Sequence, residues 1–194
     1  MKGLNGNLFL VKEHVGMFKA ANNYDIYDPQ SNAVIMECRE PNLGLFTKIM
    51  RFTKYKYFTP FDFTLSSAKG ELLLQVKKGW TLFGATVDVL DGGGQKIGHL
   101  TRKIFSLKPR MNIFDHNGEA CGELVGSFLG WNFTFSQKGI EIATVSKKWA
   151  GLGKELFTSA DNYVLSIENS VDNEDPARGM IFAAVLCIDM LFKE

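Results

Sequence analysis

The sequence predicts an all-β fold in which about a dozen antiparallel strands close into a barrel around one apolar C-terminal helix. Extended runs of alternating apolar and polar residues are joined by short turns rich in Asp, Asn and Gly, a pattern typical of β-hairpins. The last apolar run, from Gly179 to Phe192, predicts a helix that is apolar on every face, and such a helix is expected to be buried. Its length of about 21 Å is too short for a hydrocarbon core of roughly 30 Å.

The hairpins follow one another along the chain. Runs that flank a common turn are predicted as strand pairs: 24–28 with 33–37, 61–65 with 71–76, 80–90 with 96–100, 110–114 with 120–124, and 131–136 with 140–145. Further strands are predicted at 7–12 and 162–167. A sheet of this size would expose its edges unless it closed, and closing it around the apolar helix buries both.

Two segments depart from the strand pattern. Residues 43–51 have helical spacing, with Leu45, Ile49 and Phe52 on one side, and predict a short surface helix. Residues 168–177 are acidic and typical of a loop. Asp175 is suited to cap the buried C-terminal helix, predicted at about 176–192.

Composition and charge narrow the class of protein. The 194 residues are 45% hydrophobic and predict one domain over 1–194. The net charge of +1 provides no overall attraction to nucleic acid, so no nucleic-acid partner is expected. Cys38, Cys121 and Cys187 are widely spaced and predict reduced core residues. The first residues carry no signal-peptide pattern, so a cytoplasmic location is expected.

The C-terminal half carries a family resemblance. The segments Ile142-Ala-Thr-Val-Ser-Lys-Lys-Trp-Ala-Gly151, Lys154-Glu-Leu-Phe-Thr-Ser-Ala-Asp-Asn-Tyr163 and Ala183-Ala-Val-Leu-Cys-Ile-Asp-Met-Leu-Phe192 closely resemble the phospholipid scramblase family. The resemblance covers the whole chain and is strong from about Gly118. That family is related in fold to Tubby C-terminal and LURP-one-related domains. It therefore implies a twelve-stranded antiparallel barrel that encloses a hydrophobic C-terminal helix.

The resemblance also implies phospholipid handling. Animal scramblases are described as calcium-responsive proteins that move phospholipids between leaflets. This sequence lacks their lipid-modified N-terminal extension, so a peripheral protein at the inner face of the membrane is expected, with scrambling as a further expectation. The family's calcium motif is incomplete, because Ser159 and Ser170 replace two of its acids. No cofactor is expected to be required, and calcium remains a candidate.

The candidate calcium ligands are the carboxylates in and after the motif, and the alternative for them is a solvated acidic loop. These ligands are Asp161, Glu168, Asp172 and Glu174. Asp189 on the apolar helix needs hydrogen-bond donors if it is buried, and its predicted role is to fix the helix inside the barrel.

Two basic segments are candidate contacts to anionic lipid. In residues 48–57, cations alternate with aromatic residues, a combination suited to headgroups and the membrane interface. The alternative is a solvated helix face followed by a half-buried strand. In residues 147–149, two lysines precede a tryptophan that could instead close one barrel end. The predicted lipid-binding residues are Lys48, Arg51, Lys54, Lys56, Lys147, Lys148 and Trp149.

Catalytic patterns are missing from the sequence. The histidines are scattered, no nucleophile elbow is present, and the glycines at 92–94 predict a hairpin turn rather than a phosphate loop. We therefore expect no enzyme. The leading hypothesis is a scramblase-like protein that binds an anionic phospholipid membrane surface peripherally. The alternatives are a soluble scaffold module that binds a ligand or a protein not yet identified, and a membrane anchor formed by the C-terminal run.

Overall fold

A computed structural model describes residues 4–14, 21, 23–41, 43–53, 56–81, 84–103, 105–127, 131–147 and 162–192, without the side chains of Lys56 and Asp189. Within these residues, strands β1 to β12 form a closed antiparallel barrel in which each strand pairs with its neighbours in sequence and β1 pairs with β12. The predicted barrel is confirmed. The elements are β1 Leu8–Glu13, β2 Tyr24–Tyr27, β3 Val34–Arg39, α1 Leu45–Arg51, a 3₁₀ turn Lys56–Phe58, β4 Phe61–Ser67, β5 Leu72–Lys78, β6 Thr86–Asp91, β7 Lys96–Arg102, β8 Arg110–Asp115, β9 Ala120–Ser127, β10 Asn132–Gln137, β11 Ile140–Ser146, β12 Asn162–Ile167 and α2 Pro176–Phe192.

Turn chemistry follows the sequence prediction. Asp91 and Asp115 each open a hairpin turn and accept backbone N–H bonds from residues two and four positions later, at 2.8 to 2.9 Å. Gly94 and Gly118 close these turns with φ of 81° and 82°, a conformation that glycine adopts without strain. Local side-chain bonds therefore fix where the chain reverses.

The apolar helix α2 occupies the barrel interior. Every described side chain from Arg178 to Phe192 is buried. The Phe182 ring meets Phe9 of β1 edge-on at 5.0 Å between centroids. Gly98 of β7 allows close packing on two sides, since a Cβ there would clash with the backbone O of Phe114 on β8 and would lie 2.9 Å from the Met180 Cε atom of α2. Within the described part of the chain, no helix combines the length and apolar character needed to cross a bilayer.

One buried arginine joins α2 to the start of the chain. The Arg178 side chain is 1% exposed, and its guanidinium donates to oxygens on two segments. We call this set of bonds the arginine clasp. Its acceptors are Leu4 O at 3.0 Å, Gly6 O at 2.6 Å, Asn7 Oδ1 at 2.6 Å, Val171 O at 3.0 Å and Asp172 O at 3.0 Å. At the same helix start, Asp175 Oδ1 accepts the Ala177 N–H bond at 2.8 Å, as the predicted cap requires.

Two predicted strand segments differ from the structure. The strand predicted from residue 80 begins only at Thr86, so Trp80 belongs to a connection rather than to a sheet. The helix α1 lies at the surface, as predicted; its side that carries Leu45 and Ile49 faces solvent, and Thr47 is its buried residue. The 3₁₀ turn at Lys56–Phe58 lies where the sequence suggested a half-buried strand.

Candidate functional site

Strict antiparallel order gives the barrel two different ends. Connections that leave odd-numbered strands emerge at one end, which we call the loop end, and those that leave even-numbered strands emerge at the other, the turn end. The described residues of the loop end are 14, 21, 23, 40–41, 43–53, 56–60, 79–81, 84–85, 103, 105–109, 131 and 147. The turn end comprises residues 28–33, 68–71, 92–95, 116–119, 138–139 and 168–175. Long connections therefore cluster at one end and tight hairpins at the other.

The loop end is basic. Among its described residues, the exposed cations are Lys48, Lys103 and Lys108. The one carboxylate in the described part of these connections is Glu40, which is buried against Arg51. The exposed charge that the described part of this end offers to a partner is therefore positive.

The turn end is acidic. Exposed carboxylates follow several of its strands, whereas its described connections contribute two exposed cations, Lys69 and Lys138. The exposed carboxylates are Glu71, Glu119, Glu168, Asp172 and Glu174. The net charge of +1 thus conceals an opposition between the two ends of the barrel.

The barrel wall is close to neutral because its charges are paired across neighbouring strands. Lys96 Nζ lies 2.6 Å from Asp88 Oδ1, and Arg39 Nη2 lies 2.6 Å from Asp25 Oδ1. An exposed pair such as Lys96–Asp88 contributes little to stability. They do cancel local fields, so the two ends dominate the charge that the molecule presents to a partner.

The sequence predicted Arg51 as part of a lipid-binding strip over residues 48–57. In the structure, its side chain is not available for that role. Its side chain is 4% exposed, and the guanidinium donates to Glu40 Oε1 at 2.6 Å and to Pro60 O at 2.8 Å. A guanidinium held by a buried carboxylate is not available to a headgroup. Arg51 instead attaches the end of α1 to the barrel, and this is a correction to the predicted strip.

A second buried cation supports the same connection. Lys78 at the end of β5 donates to Thr59 O at 2.8 Å and to Tyr57 O at 3.0 Å. Burial, with a contribution from the nearby charge of Arg51, lowers the pKa of Lys78 to about 8. Lys78 and Arg51 together fix the 40–60 connection at both ends, and this holds the outer face of α1 towards solvent.

The other predicted cations have different surroundings. Lys48 is exposed on α1, as predicted. Lys147 is half-buried, with its Nζ atom 4.0 Å from the centre of the Trp131 ring, which itself stacks on Tyr163 at 5.2 Å. The contact is a cation–π interaction at the loop end. Lys54, Lys148, Trp149 and the side chain of Lys56 lie outside the described residues.

Three of the four predicted calcium ligands lie in the described part of the chain, where they form no metal site. Glu168, Asp172 and Glu174 are exposed in the connection from β12 to α2, at the turn end. Among the residues that the structure describes, no three His, Cys, Asp or Glu side chains form a group that could hold a metal ion. Asp161 and the side chain of Asp189 lie outside the description, so the proposed role of Asp189 stays a prediction.

Sequence reasoning missed part of the loop end. An exposed stretch between β7 and β8 carries no sequence motif and includes Lys103, Phe105, Leu107 and Lys108. Counting strands would have found it, because alternate connections of an antiparallel barrel share one end. The same count of strands would have shown that Lys48 lies at the opposite end of the barrel from the acidic connections.

Comparisons with known proteins relate the chain to a family. A family model described as Scramblase matches residues 10–194. "Altered inheritance rate of mitochondria protein 25" from Saccharomyces cerevisiae is 24% identical in an alignment 199 positions long, which covers 89% of this chain and 60% of that protein. The chain therefore spans less than two thirds of that relative.

A solved structure of a protein from Arabidopsis thaliana covers 66% of this chain and 83% of its own, at 19% identity and a TM-score of 0.34. A likeness of that size supports no argument about function. The family model matches almost the full length of the chain and confirms the resemblance carried by the C-terminal segments. The chain belongs to the scramblase family.

Proposed function

We propose that this protein binds anionic phospholipid membranes peripherally, through the loop end of its barrel, and performs no bond chemistry. The observation that carries the proposal is the separation of exposed charge, with Lys48, Lys103 and Lys108 at one end and carboxylates at the other. Anionic lipid attracts each such cation by about 1 kcal/mol. An orientation that brings the loop end to the membrane is attractive, whereas the reverse orientation is repulsive.

The proposed location is the cytoplasmic leaflet, since anionic lipids give that surface its negative potential. The proposal does not extend to movement of lipid between leaflets. A polar headgroup needs a polar path through the bilayer, and α2 fills the interior of the barrel with apolar side chains. Lipid binding, in contrast, needs only the surface of the loop end.

The test compares two charge reversals of equal size on opposite ends. Lys48→Glu with Lys108→Glu changes the loop end, and Lys69→Glu with Lys138→Glu is the matched control at the turn end. All four lysines are exposed, so neither double variant disturbs the core. Binding is measured by co-sedimentation with vesicles of phosphatidylcholine alone and with phosphatidylserine added.

We expect the loop-end variant to lose affinity for anionic vesicles by about thirtyfold or more, from the loss of two attractive contacts. The control should bind within about twofold of the wild type, because the turn end lies more than a Debye length of about 8 Å from the lipid surface. Equal losses in both variants, or no binding by the wild type, would contradict the proposal. The second result would favour a scaffold module that does not contact lipid.

A further inference from the structure

The loop end exposes large apolar side chains as well as cations. Among the described residues, most large hydrophobic side chains that face solvent lie in three of its connections, and they are 54% to 108% exposed. We call them the apolar set. They are Leu45, Phe46, Ile49 and Phe52 in or next to α1, Trp80 between β5 and β6, and Phe105 and Leu107 between β7 and β8.

The turn end has no comparable group within the described chain. The exposed large hydrophobic residues next to it are Leu72, the first residue of β5, which is 38% exposed, and Ile140, the first residue of β11. Single exposed apolar side chains are normal on a protein surface, whereas clustered ones indicate an interaction site. The clustering, rather than the exposure of any one residue, distinguishes the loop end.

The three connections are linked to one another. The Phe46 ring lies 5.9 Å from the Trp80 ring, between centroids, and joins α1 to the β5–β6 connection. The backbone N–H of Arg102 donates to Ala85 O at 3.1 Å and joins that connection to the end of β7. The apolar set therefore belongs to neighbouring connections held by the same barrel end.

The barrel also fixes which way α1 faces. Residues 45, 46, 49 and 52 share one side of a helix, and Thr47 and Arg51 share the other. Because Arg51 is bound to Glu40 and Thr47 is buried, rotating α1 to hide its apolar side would break a buried ion pair. Exposure of the apolar set is therefore a property of the fold.

Lysines lie close in sequence to the apolar side chains. Lys48 lies within α1, and Lys103 and Lys108 enclose Phe105 and Leu107. In a bilayer, anionic headgroups lie above the hydrocarbon. Lysines around an apolar surface can bind the headgroups while the apolar side chains enter the hydrocarbon. Trp80 adds an aromatic ring, a residue type that is enriched at membrane interfaces. Charge complementarity thus favours a lipid surface as the occupant.

We infer that the apolar set inserts into the acyl region just below the headgroups, so that the barrel stands end-on upon the bilayer. This inference rests on the proposed function and adds a depth and an orientation to it. An amphipathic helix buries its apolar face by about 5–10 Å at such an interface. Binding then combines charge with apolar burial, and part of it should survive salt concentrations that screen charge.

The first experiment measures depth at two matched positions. Leu107→Cys and Ile140→Cys, each in a Cys121→Ser background, place an exposed thiol at the loop end and at the turn end. Cys38 and Cys187 are buried and remain unlabelled. Each variant is labelled with a polarity-sensitive fluorophore and mixed with phosphatidylcholine–phosphatidylserine vesicles that carry a quencher on the acyl chain.

Insertion predicts a blue shift and acyl-chain quenching at position 107, with neither at position 140. Bound protein whose probe at 107 stays in water would overturn insertion while leaving peripheral binding in place. Absence of vesicle binding would overturn both. Quenching at both positions would overturn the end-on orientation.

The second experiment measures affinity. Phe46→Ser with Ile49→Ser removes two exposed side chains without changing the core, and Leu72→Ser with Ile140→Ser is the matched control. We expect the first variant to lose about a hundredfold in vesicle affinity, about tenfold for each side chain, and the control to match the wild type. Unchanged binding by the first variant would overturn insertion. Insertion would also be overturned if the wild type were a dimer, and if this variant dissociated the dimer without loss of vesicle binding. The apolar set would then bind a second copy of the chain.

Discussion

The arginine clasp offers the sharpest test of how the barrel holds its helix. Arg178→Met keeps the length of the side chain and removes every donor of the guanidinium. Two acceptors, Leu4 O and Val171 O, are buried and would lose their partner without gaining water. The remaining acceptors lie nearer the surface and can bind solvent.

The expected loss follows from that division. A buried acceptor left unsatisfied costs about 1–3 kcal/mol, and charge-assisted bonds lie at the upper end of that range. Relief from burying a charge offsets part of the loss. We therefore expect the free energy of unfolding to fall by about 3–5 kcal/mol, a large share of the roughly 5–15 kcal/mol typical of a folded domain.

Urea denaturation followed by far-UV circular dichroism measures this loss. Arg178→Lys is the control, because it keeps the charge but supplies three donors in place of five, and it should fall between the wild type and Arg178→Met. A loss below about 1 kcal/mol for Arg178→Met, with an unchanged denaturant slope, would refute the reasoning. The guanidinium would then contribute little beyond filling space.

Two further predictions concern the buried ionisable groups of the loop end. Glu40→Gln should lower the free energy of unfolding by about 3–5 kcal/mol, because Arg51 keeps its buried charge and loses its partner. Thermal or urea denaturation measures it, and a loss under about 1 kcal/mol would mean that solvent reaches the pair. Burial lowers the pKa of Lys78 from 10.5 to about 8. As pH rises, the folded protein therefore loses this proton at a lower pH than the unfolded chain does. Its contribution to stability should therefore rise between pH 8 and 10.5 and be constant below that window. Burial raises the pKa values of the Cys38 and Cys187 thiols, so their contribution to stability falls as pH rises through about 9, and the charge of Lys78 acts on the Cys187 thiol. Wild type and Lys78→Met are therefore compared between pH 8 and 9, where the difference in stability should rise with pH, and a flat difference would contradict the assignment.

Local chemistry explains what the sequence could predict of the fold. Asp91 and Asp115 fix their turns by bonding to residues within four positions, and Asp175 caps α2 in the same way. A helix that is apolar on every face has to be enclosed, which made the barrel predictable before its strands were counted. These features depend on residues that are close in sequence.

Distant partners explain what the sequence could not predict. Arg51 matched a basic strip until the fold brought Glu40 and Pro60 to its guanidinium. The clasp joins Arg178 to Leu4, which precedes it by 174 positions. Nothing in a local pattern encodes such a contact, because it exists only once the barrel has closed.

The sequence could not predict, for a different reason, that the apolar side of α1 is exposed. The spacing of Leu45 and Ile49 predicts a helix with one apolar side, and that side ordinarily faces the core. The structure reverses this because the opposite side carries the contacts that attach α1 to the barrel. Periodicity shows that a helix has an apolar side, and the anchoring contacts decide which way that side faces.

Hydrogen–deuterium exchange with and without anionic vesicles tests the central claim, that the barrel docks by its loop end and keeps its helix. The account predicts slower exchange on vesicle binding in α1 and in residues 105–108, no change in the connection 168–175, and full protection of α2 in both conditions. Slower exchange at 168–175, or exchange of α2 that becomes tenfold faster on vesicles, would contradict it. The first result would mean that the turn end meets the membrane, and the second that the helix leaves the barrel.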